Sequence, residues 1–146
     1  MSFSLILIGI SLALFGYWFR YSCVLILRTR TAEDYALDVC RANGLSFAQV
    51  RGAMEAEGSV DLDQVYRALD RDYAVVTQLL EQQSSPGDNN VLEAKLLRAN
   101  FRVTQTWFRV TRSLGLSQSR VALEEMADTV AYFANSFGEL NASSAS

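Results

Sequence analysis

Apolar positions are continuous at the start of this chain and recur at helical spacing after it. Residues 3–19 (FSLILIGISLALFGYWF) are 17 positions without a charge, the short end of what a membrane-spanning helix needs. Past Arg20 the apolar character resumes at Val24, Leu25, Ile26 and Leu27, and Arg28 and Arg30 close it. Two spans fit. One covers 3–19, with Tyr17, Trp18 and Tyr21 in the interfacial belt and Arg20 among the headgroups. The other covers 3–27, tilted, with Arg20 inside the hydrocarbon. The second reads better, because the first leaves Val24–Leu27 in the headgroup layer. A cleaved signal peptide fits less well: no basic residue precedes position 20 and no small-residue cleavage site follows. Basic residues after the span and none before it predict an N-out, C-in single-pass topology.

No breaker separates Arg28 from Asn43, so the anchor helix is expected to run on through AEDYALDVCRAN to about residue 42, where Asn43-Gly44 stops it. Ser46 is placed to cap a helix over 47–57 that ends at Gly58. Asp61, with Gln64 three residues on, caps the next, over 62–83. Leu62, Tyr66, Leu69, Tyr73, Val76 and Leu80 alternate spacings of four and three, a seam for a neighbouring helix. The stretch 84–90 (SSPGDNN) is a loop between two helical hairpins. A helix over 91–114 follows with two apolar faces. Leu92, Leu96, Ala99, Val103, Trp107, Val110 and Leu114 make one; Leu97, Phe101, Thr104, Phe108 and Thr111 make the other. Less than half its circumference is polar, which predicts a place at the centre of the bundle. Asn100 lies between the two faces and needs partners if buried. Gly115 ends this helix, Ser117 caps a last one over 118–137, Gly138 ends that, and ELNASSAS (139–146) reads as a disordered tail.

The expected fold is therefore all-α: an anchor (1–30), a cytoplasmic bundle of about four helices (31–138) and a tail. One proline in 146 residues agrees with long helices. Splitting the charge sharpens the division. Residues 1–31 carry three arginines and no acid, for +3; residues 32–146 carry ten basic and sixteen acidic side chains, for -6. Twelve arginines to one lysine is the bias of a GC-rich bacterial genome, so a bacterial inner membrane is the expected location.

Candidate chemistry is sparse. Without histidine there is no His-based triad, His zinc site or histidine pH switch. Asp61/Asp63 and Asp70/Asp72 resemble metal carboxylate pairs, but helical residues two apart point about 200° away from each other. Glu124, Glu125 and Asp128 read as a solvated acidic face. Cys23 and Cys40, on one continuous helix, would be about 25 Å apart, too far for a disulfide. No phosphate loop and no nucleophile–base set stand out, so neither an enzyme nor a cofactor is expected. An acidic domain with no nucleic-acid motif argues against nucleic acid.

Two stripes remain. Gly9, Ala13, Gly16 and Arg20 share a face of the anchor within about 60° of arc, where small residues let a second helix approach and an arginine seeks a carboxylate or carbonyl. Lys95, Arg98, Arg102, Arg109 and Arg112 fall within about a third of the circumference of the 91–114 helix. That basic stripe fits three uses: pairing with Asp63, Asp70 and Glu81 of the preceding helix, contact with anionic headgroups, or an acidic partner. The function expected is a non-enzymatic, membrane-anchored interaction module, an accessory or scaffold subunit of a larger membrane complex. Its partners would be other membrane subunits or a second copy through the anchor. The alternative is an inner-leaflet lipid-sensing or signalling adaptor.

Overall fold

The computed structural model describes residues 2–28, 35–56, 58–83 and 91–145. All regular structure there is helical: α1 (Ser2–Arg28), α2 (Ala36–Asn43), α3 (Phe47–Glu55), α4 (Leu62–Gln83), α5 (Val91–Ser113) and α6 (Gln118–Ser144). The chain divides into two compact units, residues 1–30 and 31–146.

In the first unit, α1 carries apolar side chains on every side, and its span Phe3–Arg28 is long and apolar enough to cross a membrane. None of its most apolar window is buried in protein. Being helical throughout, it satisfies its interior backbone groups within the segment, as a bilayer requires.

The second unit is a bundle of α2–α6 around α6, which packs against each of the other four. α6 holds this place because small residues line it. Ala122, Ala127, Ala131, Ala134 and Gly138 are all buried, and they let neighbouring backbones come close. Leu123, Met126, Val130 and Phe133 fill the spaces between. The two apolar faces of the 91–114 segment led to the expectation that it would be central; instead α5 is peripheral and buries one face only. Three aromatic contacts tie α4, α5 and α6 together. Tyr73 stacks on Phe101 with centroids 3.7 Å apart. Tyr66 stacks on Phe108 at 4.9 Å, and Phe133 meets Tyr73 edge-on at 6.0 Å.

Local signals set several ends as the sequence predicts. Gly44 and Gly115 adopt φ of 63° and 67°, the left-handed conformation that glycine takes without strain. The bonds Leu45 N–H to Cys40 O (3.0 Å) and Leu116 N–H to Thr111 O (2.9 Å) close both helix ends in Schellman fashion. Asp61 Oδ1 accepts the N–H groups of Asp63 (3.0 Å) and Gln64 (3.4 Å), a genuine N-cap.

Four expectations fail, each through a tertiary contact or a missing one. The helix expected to run on to residue 42 is interrupted at Tyr35, which is not helical. α2 starts after Tyr35, whose N–H donates to Asn135 Oδ1 (2.6 Å); residues 29–34 of that segment lie outside those described. Ser46 precedes α3 but makes no side-chain cap. Its own N–H is instead taken by Asp72 Oδ2 of α4 at 2.6 Å. Ser117 likewise makes no side-chain cap. Gly138 does not stop α6. The helix runs on to Ser144, so the segment read as a disordered tail is mostly helical. Gly138 is needed for proximity: a Cβ there would overlap the Cβ of Tyr35 and press on Val39. The 84–90 loop lies outside the described residues.

Candidate interaction surfaces

The basic stripe of α5 splits into an inner and an outer tier. In the inner tier, Arg112 Nη2 bonds Asp63 Oδ2 at 3.0 Å and Arg98 Nη1 bonds Glu81 Oε1 at 2.9 Å. The Arg112 bond holds the Asp63 carboxyl below the usual carboxylate range and pushes Arg112 up in turn. Between these pairs, Gln105 Nε2 donates to Asp70 Oδ1 (2.5 Å). Arg109 Nη2 donates to the Tyr66 hydroxyl (2.9 Å), with its guanidinium carbon 5.8 Å from that ring's centroid. The stripe is thus a zipper along α4, the pairing that Asp63 and Glu81 foreshadow in the sequence. The outer tier is Lys95 and Arg102, both exposed and without an ion pair among the described residues.

Next to this tier lies the apolar face that the bundle leaves uncovered. Leu92 is 68% exposed, Val103 50%, Trp107 49% and Leu114 66%. Val110 continues the seam, and Leu116 and Val121 extend it past the end of α5. The opposite face, Leu97, Phe101, Thr104, Phe108 and Thr111, is buried. Both faces are apolar enough in sequence to be candidates for the core. Only one holds the polar groups that need α6: Asn100 is fully buried and its Nδ2 donates to Glu125 Oε1 (2.7 Å), which also accepts from Thr104 Oγ1 (3.3 Å). Glu125 therefore leaves the solvated acidic face expected of it, while Asp128 stays at the surface and pairs with Arg51.

A cleft of about 440 Å³ opens where α4 ends and α5 begins, against the second half of α6. Leu80, Val91, Phe133 and Leu140 form its apolar walls, with Lys95 and Arg98 at its polar rim. Tyr132 also lines it, donating its hydroxyl to Glu93 Oε2 (2.9 Å). Burial, then that bond to a carboxylate, pushes the Tyr132 phenol up to about 12. Periodicity gives no sign of this cleft, which depends on how three helices splay at one end of the bundle.

Asp72 is the other group that pattern reading missed. It is 1% exposed, and burial pushes its carboxyl above the usual range against the opposing pull of the Ser46 and Phe47 N–H groups and Arg71. Its row on α4, Val65, Leu69, Asp72 and Val76, is a buried one, so a charge in that row was the available signal. The carboxylates at 61, 63, 70 and 72 thus have four separate employments. Among the described residues, no group of three or more Asp, Glu or Cys side chains is placed to hold a metal. Neither cysteine is in a disulfide; Cys40 donates to Leu45 O (3.1 Å), and burial raises its thiol pKa.

In the first unit, unbroken helix from Ser2 to Arg28 keeps Gly9, Ala13, Gly16 and Arg20 on one face of α1. A Cβ added at Gly9 or Gly16 would meet nothing within 4 Å, so the small-residue groove is open. Comparison with protein-family models, with curated proteins and with solved structures finds no match for this chain.

Proposed function

We propose that this chain is a non-enzymatic, membrane-anchored helical interaction module, an accessory or scaffold subunit of a larger membrane complex. The observation that carries the reading is the bare apolar seam of α5, from Leu92 to Leu114, which holds most of the exposed large apolar side chains described in the domain. Contiguous exposed apolar surface on a folded domain marks an interaction site. The open groove at Gly9, Ala13 and Gly16, beside Arg20, supports a second contact inside the membrane. The anchor is read as N-out, C-in, from arginines after the span and none before it; the arginine bias favours a bacterial inner membrane.

The test is a mild-detergent purification of the full chain through a C-terminal tag, with the mass and composition of the particle determined. A particle containing other membrane subunits is expected, and Arg20→Leu should weaken their recovery while leaving insertion intact. A particle of this chain alone would refute the accessory-subunit reading. The alternative, an adaptor on anionic lipid, is favoured by one observation only, the outer tier of Lys95 and Arg102 beside Trp107. It requires salt-sensitive retention of the 31–146 domain by anionic vesicles.

A further inference from the structure

We infer that the bare seam of α5 receives one amphipathic α-helix of a partner protein, a helix whose apolar positions repeat every eleven residues and whose edge facing Lys95 and Arg102 carries Asp or Glu. The inference rests on the interaction-module reading and names the partner's chemistry.

Spacing is the first argument. From Leu92 to Leu114 the apolar positions step by 4, 3, 4, 4, 3 and 4, two repeats of eleven. Eleven residues in three turns is about 3.67 per turn, close to the natural period of a straight helix. The seam therefore stays on one face for about 33 Å with almost no supercoil, and its complement is a straight helix of the same repeat.

Width is the second. The seam covers about 80° of arc, narrower than the roughly 100° face by which a helix packs into a core. Exposed Thr106 and Arg102 border its open edge, and buried Asn100 borders the other. A seam one side chain wide seats one helix. A bilayer surface is better served by a wide apolar face.

Charge is the third. One edge of the seam is closed by α6, where Glu125 is engaged with Asn100 and Thr104, and Glu93 accepts from Tyr132. The open edge carries Lys95 and Arg102, and Arg109, which bonds the Tyr66 hydroxyl and lies over that ring. A second copy fits this poorly. Antiparallel pairing would set basic edge against basic edge; parallel pairing would set it against acids already bonded within the domain. A helix with an acidic edge answers both the seam and the charge.

The experiment uses the full chain in lipid nanodiscs and two synthetic 22-residue helical peptides. Both carry the eleven-residue apolar repeat; one has glutamate along the facing edge and the other lysine. The glutamate peptide is expected to bind at least tenfold tighter than the lysine peptide, with the preference shrinking in high salt. Trp107→Glu should abolish binding without loss of helicity, and the double variant Lys95→Glu/Arg102→Glu should reverse the preference. Equal affinities, or no binding by either peptide, would overturn the inference. So would a wild-type oligomer that Trp107→Glu splits into monomers, which assigns the seam to a second copy. Shielding of Trp107 from an aqueous quencher by phosphatidylglycerol, in the absence of peptide, would assign it to the membrane and also overturn the inference. The two readings fail separately: a multi-subunit particle in the tag purification with no peptide selectivity sinks this inference alone, and selective peptide binding with no subunits recovered sinks the accessory-subunit reading alone.

Discussion

α5 and α6 are long helices rich in apolar residues, yet they have opposite fates. α5 holds the bulkier residues, including Trp107, Phe101 and Phe108, and leaves half of its apolar surface bare. α6 holds alanines and a glycine at the corresponding places and is enclosed by four neighbours. Centrality in a small bundle follows from how closely other backbones can approach, and small side chains permit that approach. Bulk on two faces creates a helix that one layer of neighbours cannot cover.

The most forceful way to break this contrast is to remove one large side chain from each helix. Phe133→Ala on α6, at a position 1% exposed, should cost about 3–5 kcal/mol. Trp107→Ala on the bare face of α5 should change stability by no more than about 0.5 kcal/mol. Denaturant midpoints of the two variants test this; comparable losses would mean that the α5 seam is part of the core after all.

Glycine to alanine gives a finer comparison. In α6, Gly138→Ala drives a methyl into Tyr35 and Val39, an overpacking cost of about 1–3 kcal/mol that exceeds the gain of about 1 kcal/mol in helix propensity. In α3, Gly52 faces open space, so Gly52→Ala should gain about 0.5–1 kcal/mol. Thermal unfolding should shift in opposite directions for the pair.

Two aspartates on α4 should respond to pH with opposite signs. Asp72 is raised by burial. Its favourable contribution is complete below the ordinary aspartate range and is lost as pH rises through its elevated value. Relative to Asp72→Asn, the native chain should therefore gain stability on acidification. Asp63 is lowered by its bond to Arg112. Its contribution is present above the ordinary range and is lost as pH falls through its depressed value, so relative to Asp63→Asn the native chain should lose stability in acid. Urea midpoints across the acidic range distinguish the two signs. Removing the acceptor altogether, in Asp72→Ala, should cost about 1–3 kcal/mol through the unpaired Ser46 N–H.

The smallest effect is spectroscopic. Tyr132 should ionise near 12, so Tyr132→Phe should remove one late step from the alkaline phenolate absorbance. The folded chain prefers the neutral phenol here, so stability from this group is lost as pH climbs from about 10 toward 12. A Tyr132 that titrates near 10 would show that its cleft is wetter than its walls suggest.

Local chemistry wrote much of this structure. Glycine at 44 and 115 ends helices because only a residue free of a Cβ turns left-handed without strain. Asp61 starts α4 because its side chain reaches the orphan N–H groups of its own first turn. Uncharged residues from 3 to 19 make α1 apolar on every side, and the alternation from Leu62 to Leu80 declares the seam of α4. These outcomes depend on residues a few positions apart, so the sequence determined them unaided. Tertiary structure decided what depends on residues far apart. Gly138 has the local look of a stop, but Tyr35, about a hundred positions away, makes it a point of close approach. Asp72 displaces Ser46 as the acceptor at the start of α3, although they are 26 residues apart. Of the two faces of α5 the wholly apolar one stays bare and the one holding Thr104 and Thr111 is buried; the choice was made by Glu125 reaching Asn100 and Thr104 and by Tyr73 and Tyr66 stacking on Phe101 and Phe108. Periodicity reports that a face is apolar; which face meets a neighbour is set by the partners that satisfy its buried polar groups.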